Sequence, residues 1–267
     1  NATTLKDQLT KAFNDILQNT ASVTQVSVDM PTSEIKNGAD VYRTTFEAEY
    51  WSGDVIKEKT KDGVRTKAWS AATELSTRDM ATRKIYFAGT AAGQPALQEF
   101  TYTNISAYSG WLNALNKNTV TNTADGKAEQ RVNFLRGNAN DELRVRKVLT
   151  NSQPNVLGDI VNSSLERVKG ARYRASAADA LEGTTGAASY TTFASGLDSK
   201  PEMLYVGAND GMLHAFKAAD GTETFAFIPT AVRETLSDLT TPKYGASGKA
   251  HRYFVDGTPV ISDVFFG

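Results

Sequence analysis

Residues 203–229 read MLYVGANDGMLHAFKAADGTETFAFIP. Three short apolar runs separated by two glycine turns form the pattern of one β-propeller blade. In the first turn, Gly207-Ala208-Asn209-Asp210-Gly211, the Asn, Asp and Gly tolerate the positive φ that a tight hairpin requires. Ala219-Asp220-Gly221 supplies the second. Between them Met212, His214 and Phe216 alternate with Leu213, Ala215 and Lys217, the period of a half-buried strand, and Phe225 and Phe227 continue the pattern. Such a unit points to a binding scaffold rather than an enzyme.

Upstream, Tyr42, Thr44, Phe46, Ala48 and Tyr50 alternate with Arg43, Thr45, Glu47 and Glu49, which predicts a strand from Val41 to Tyr50. Trp51-Ser52-Gly53-Asp54 reads as a sharp break, residues 55–59 as a strand, Lys61-Asp62-Gly63 as a turn, and residues 70–75 as a short helix. Residues 83–88 and 98–103 supply two more strands, so residues 41–104 are expected to form a first up-and-down blade. Helical spacing at Ile105, Tyr108, Trp111, Leu112 and Leu115, then at Ala128, Val132 and Leu135, makes residues 105–154 a helical insertion or connector. Residues 155–267 hold the following blade or blades. There β character is expected over 155–168, an exposed excursion over 175–196, a helix after Pro229, and strands over 252–255 and 260–266. At the other end, Thr4-x-x-Asp7 caps a helix carrying Leu5, Leu9, Phe13 and Ile16, and Val23, Val26 and Val28 suggest a lead-in strand, so that residues 1–40 form the approach.

The fold class expected is therefore mainly β, an incomplete propeller with helical insertions and an N-terminal helix. A propeller closes with roughly four to eight blades, so the chain is expected to be a piece of a longer protein. Its 40% hydrophobic content is enough for a core, and 29 basic residues against 30 acidic ones leave no long-range field to attract nucleic acid or anionic lipid. No apolar run approaches the roughly 20 residues of a membrane span, and any export signal is expected to precede Asn1. The absence of cysteine excludes disulfides, thiolate metal sites and cysteine nucleophiles.

Five phrases occur together: YWSGDV at 50–55, RVNFLRG at 131–137, LGDIVNSS at 157–164, YVGANDGMLHAF at 205–216 and HRYFVDG at 251–257. In content and order they resemble the PilC/PilY family of type IV pilus biogenesis factors and tip-associated adhesins. The resemblance implies the early part of a carboxy-terminal modified propeller, exported by Gram-negative bacteria to the pilus tip or outer cell surface. It implies partnership with minor pilins and with host-cell or surface receptors, in pilus assembly and adhesion, without catalysis. Some members bind calcium through an Asp-rich loop. No Asp-x-Asp-x-Asp-Gly run occurs here, since Asn209-Asp210-Gly211 and Asn140-Asp141-Glu142 lack the alternating oxygens. Calcium, if used, is expected in a part of the protein outside this chain. Leu165 departs from the family's proline after the paired serines.

Individual residues favour structural roles. Asp210 reads as a turn residue, and Asp54, Asp159 and Asp256 as carboxylates that accept backbone N–H bonds at strand boundaries. His214 shares a strand face with Met212 and Phe216, the setting of a core histidine donating to a backbone carbonyl, and His251 suits a polar contact at a blade junction. Ser163 and Ser164 lack the Gly-x-Ser-x-Gly elbow of a hydrolase. Tyr42, Phe46, Tyr50 and Trp51 resemble a sugar platform, but a strand-period stripe belongs to a core. Trp69 and Trp111, amid polar neighbours, are expected to be more exposed. Arg144, Arg146 and Lys147, with Arg131 and Arg136, suggest an anion patch that Asp141 and Glu142 weaken. No catalytic, cofactor or metal residue is assigned, and residues 105–150 and 175–199 are the expected partner surfaces. The rival readings are a quinoprotein-type propeller enzyme, which shares Asp-Gly blade turns, and a DNA-uptake pilus component.

Overall fold

The computed structural model describes residues 26–28, 38–140, 142–171, 173–242, 244–245 and 250–264. The expected opening helix, Val23 and the end of the last expected strand lie outside them. The described fold is mainly β, with two sheets and a set of short helices.

The first sheet is an antiparallel meander of β1 (Val26–Val28), β2 (Asp40–Glu47), β3 (Ser52–Lys61) and β4 (Val64–Ser70). Asp62 and Gly63, at φ 51° and 78°, make the β3–β4 turn where Lys61-Asp62-Gly63 placed it. β2 stops at Glu47, earlier than expected, because residues 48–51 turn back with Trp51 at φ 48°. Gly53 lies inside β3 rather than in a break. Its N–H donates to the Leu157 carbonyl at 3.1 Å, and a Cβ there would come within 2.3 Å of the Gly158 oxygen, so only glycine permits this approach. Helix α1 (Ala71–Ser76) follows β4. Ser70 caps it, and the Asp54 carboxylate takes the Ala72 N–H at 2.9 Å and the Ser70 hydroxyl at 2.6 Å.

The second sheet contains β5 (Ile85–Ala91), β6 (Gln94–Glu99), β7 (Glu166–Val168), β8 (Met203–Ala208), β9 (Met212–Lys217) and β10 (Glu223–Ile228). Its order is β6-β5-β10-β9-β8-β7. β7 to β10 are neighbours in space as in sequence, each antiparallel to the last, so the three strands of residues 203–229 and β7 form a four-stranded meander. The β5–β6 hairpin joins it with β5 parallel to β10. This corrects the expectation of a single sheet over residues 41–104, whose strands divide between the two sheets. The pairing is decided by burial: Ile85 and Phe87 stand level with Ala226 and Ile228, and all four are fully buried. β6 also lies earlier than expected, because Thr101 caps α2 (Tyr102–Ile105).

One face of the second sheet supplies both cores. Leu204, Val206, Ala208 and Phe216 pack with Tyr42, Val55, Trp69 and Leu75 between the sheets. Ile85, Phe87, Met212, Ala226 and Ile228 pack under α3 (Ser109–Leu115), α4 (Ala128–Arg136) and the 3₁₀ segment Thr230–Thr240. Trp69 and Trp111 are 8% and 3% exposed, contrary to expectation. The Trp69 indole N–H and Lys57 Nζ meet on the Ala218 carbonyl, each at 3.2 Å. Trp111 packs edge-on against Phe87 and Phe100, at 5.0 and 6.2 Å between ring centres. Residues 105–150 are thus partly a core layer.

The 175–196 excursion holds two helices, α5 (Ala175–Glu182) and α6 (Tyr190–Leu197), tied by the Asp179 carboxylate accepting the Tyr190 and Thr191 N–H groups at 2.5 and 3.1 Å. Of the β character expected over 155–168 only β7 is a strand. Residues 250–264 contain none, because side chains rather than a neighbouring ladder take up the backbone, as where Phe254 N–H donates to Asn209 Oδ1 at 2.9 Å.

Candidate functional site

A closed ionic group lies in the second sheet. Arg83, just before β5, makes a two-pronged pair with Glu223 of β10 at 2.7 and 2.9 Å, and neither side chain is exposed. His214 of β9 places Nδ1 2.8 Å from Glu223 and Nε2 3.1 Å from both Asp210 oxygens. Burial opposes charge on the imidazole, but Asp210 and Glu223 outweigh it and push its pKa up to about 9. Burial likewise opposes the carboxylates, yet Arg83 and His214 hold Glu223 far below its ordinary range, and His214 and Arg83 lower Asp210. Two cations face two anions. His214 is therefore a buried histidine, as its position predicts, but its partners are carboxylates rather than the backbone carbonyl expected. Asp210 does hold its turn, accepting Met212 N–H at 3.2 Å, and its other oxygen takes Gly158 N–H at 3.0 Å, joining the β8–β9 turn to the 157–158 segment that meets β3.

A second polar group surrounds Asn209. Its amide nitrogen donates to Asp159 at 2.8 Å and to Asp256 at 3.2 Å. His251 Nε2 lies 3.0 Å from Asp159, and its ring stacks on Trp51 at 3.7 Å. Asp256 accepts the Asn162 N–H at 3.0 Å and its side-chain amide. The Asp159 and Asp256 carboxylates thus bind side chains as well as, or instead of, the backbone donors expected. These contacts fasten residues 251–257 to the β8–β9 turn. Both His214 nitrogens and all these carboxylates are engaged within the chain, where they position the β8–β9 turn and residues 251–257. Among the described residues no three His, Asp or Glu side chains converge as metal ligands.

The basic patch is divided. Arg131 pairs with Asp125 at 2.6 and 2.8 Å, Lys147 with Glu47 at 2.7 Å, and buried Arg136 donates to the Phe100 and Arg83 carbonyls at 2.9 and 3.0 Å. Arg144 and Arg146 remain, half-buried beside Tyr50 and Trp51. Of the expected partner surfaces, residues 105–150 expose Val120, Val145 and Val148, and residues 175–199 expose Leu181 at 89% and line a cavity of about 470 Å³ with Tyr173 and Tyr190. Sequence reading missed Glu223 and Arg83. The alternation of β9 and β10 could have raised Glu223 as a partner for His214, but nothing local points to Arg83, 140 residues away.

Residues 157–267 match the family description "PilY1 beta-propeller domain". The chain is 40% identical over 97% of its length to a "Type IV pilus biogenesis factor PilY1" of Pseudomonas aeruginosa strain UCBPP-PA14, covering 22% of that protein. It is 39% identical over 98% of its length to the protein of that name from strain PAK, covering 23% of it. A "Type IV pilus biogenesis factor PilY1 homolog" of Xylella fastidiosa strain Temecula1 is 32% identical over 87% of this chain and 17% of its own length. The chain thus spans about a fifth of the length of these relatives. No solved structure matches it.

Proposed function

This chain belongs to the PilC/PilY family of type IV pilus biogenesis factors, and from that premise we propose that it is a non-catalytic segment of an incomplete β-propeller, working at the tip of an exported pilus. In this reading it promotes pilus assembly and adhesion by presenting loops and helices, from a rigid pair of sheets, to minor pilins and to receptors on surfaces or host cells. The observation that carries the reading is the coincidence of the β7–β10 meander with the matched residues 157–267. A four-stranded up-and-down sheet is the unit from which propellers are built. The non-catalytic part is supported by His214 and Glu223, both fully buried, and the 15%-exposed Asp210, which engage one another. The proposal assigns no cofactor to this chain. Nor does it include nucleic acid, given the near-balanced charge.

The test is made in the full-length protein that carries this chain, in a piliated strain lacking its own copy. Removal of residues 175–199, whose two helices stand apart from both cores, is expected to leave the protein folded and secreted. Sheared surface pili or adherent cells should fall several-fold. Normal piliation and adhesion from a deleted protein with an unchanged melting profile would overturn the assignment of this surface. Full pilus assembly in the strain lacking the protein altogether would overturn the pilus role itself.

A further inference from the structure

We propose that the groove lined by Ala139, Asn140, Val145, Val148 and Pro154 together with Arg144 and Arg146 binds a carboxylate side chain of an acidic, apolar-flanked peptide segment of a partner protein. The groove measures about 240 Å³, below the roughly 300–1,000 Å³ of small-molecule sites and sized for one or two side chains. Val145 and Val148 are 68% and 65% exposed. The same two arginines also line a second cavity of about 30 Å³ together with Tyr50, Trp51 and Asp210.

Among the described residues neither arginine makes an ion pair, although Asp210, and for Arg144 also Asp159, attracts them at longer range. Arg43, Arg83, Arg131 and Arg167 each meet a carboxylate. Arg144 donates only to the Tyr50 and Trp51 carbonyls, the latter at 3.0 Å, while lying 4.6 Å from the Tyr244 ring centre. Arg146 donates to the Phe134 and Asn138 carbonyls at 2.5 and 3.2 Å and sits 3.7 Å from the Phe134 ring centre. Neither has a carboxylate oxygen within 4.0 Å among the described residues. Nε and Nη1 of Arg144 and Nε of Arg146 therefore donate to none of those residues. The carbonyls and rings hold both planes in place, so a carboxylate meets donors already positioned. Burial, with Arg144 and Arg83 adding repulsion, outweighs the attraction of Asp210 and pushes the Arg146 pKa down to about 9, and burial lowers Arg144 against the pull of Tyr244, Asp159 and Asp210. An incoming anion would relieve this. Acids around the pair have other partners: Asp210 meets His214 at 3.1 Å, Asp159 meets His251 at 3.0 Å, Glu142 meets Lys127 at 2.9 Å and Glu47 meets Lys147 at 2.7 Å.

The apolar walls select the occupant. A nucleic-acid phosphate tract needs a continuous basic stripe, whereas two guanidiniums among valines and a proline complement one carboxylate with an apolar neighbour. The inference stands on this geometry and does not depend on the pilus reading.

The test uses the intact chain labelled with ¹⁵N at arginine, titrated with the blocked tripeptide Leu-Glu-Leu, its Leu-Gln-Leu counterpart and a short single-stranded DNA. Saturable shifts of the Arg144 and Arg146 Nε–H signals are expected with the glutamate peptide, the glutamine peptide binding roughly tenfold more weakly or worse. Val145→Glu, on an exposed wall, should weaken glutamate binding at least roughly tenfold without moving the melting temperature. Arg146→Gln should abolish the difference between the two peptides. Equal binding of both peptides, no shift of either signal, or stronger perturbation by DNA would each overturn the proposal.

Discussion

Glu223 holds together two cations that have no access to water, Arg83 at 2.7 Å and His214 at 2.8 Å. Glu223→Gln keeps the shape and removes the countercharge. It is expected to cost about 3–5 kcal/mol, the typical cost of breaking a buried pair from one side, read from urea unfolding with the slope unchanged. Replacing Arg83 and Glu223 together by Met and Leu should cost less than the two single changes summed. The same group sets a pH profile. The folded-state pKa of His214 is raised from its ordinary 6.5 to about 9, so its contribution is complete below about pH 6.5 and is lost as pH rises through 9. Glu223 and Asp210 are lowered from 4.5 and 3.8, so theirs is present above those values and lost as pH falls below them. Stability should be greatest near pH 5–6.5 and decline toward pH 9. In His214→Asn the alkaline decline should disappear from a series of melting curves.

At the scale of elements, helix α3 is a core component. Trp111 is 3% exposed and packs among Phe87, Phe100 and Leu115. Trp111→Ala should therefore destabilise by about 3–5 kcal/mol. Leu181→Ser on α5, 89% exposed, should change stability by no more than about 0.5 kcal/mol. Chemical denaturation of the two variants side by side checks the contrast, and equal costs would contradict the layer assignment. The 105–115 helical spacing was legible, because apolar residues recur on one face. Its burial was not, because the polar residues around Trp111 occupy the opposite face and period alone does not say how deeply a helix sits. The meander around His214 was legible for a similar local reason: Asn209-Asp210-Gly211 and Asp220-Gly221 carry their turn geometry with them. Neither the strand expected over 252–255 nor the described part, to residue 264, of the one expected over 260–266 forms, because a strand needs a neighbouring ladder, and the Asn209 side chain takes the Phe254 N–H instead.

At the scale of the whole molecule, the sheets share one core, in which Tyr42, Val55 and Trp69 touch Leu204, Val206 and Phe216, and a backbone seam at Gly53 and Leu157. They are expected to unfold together. Tryptophan fluorescence, which reports Trp51 and Trp69 near the first sheet and Trp111 under the second, should give the same midpoint as far-ultraviolet circular dichroism. Separated transitions would mean that the seam and shared core do not couple the sheets. The sequence by itself determined the β character, the turns at 61–63, 207–211 and 219–221, and the family, because side-chain period, backbone permissiveness at Gly, Asn and Asp, and ordered phrases are properties of neighbouring residues. Only the tertiary structure decided that β5 runs parallel beside β10, that Arg83 neutralises Glu223, and that Arg144 and Arg146 share a groove with no ion-paired carboxylate among the described residues. Each depends on which distant segments bury their apolar faces against one another, a choice made by the summed burial of the whole chain.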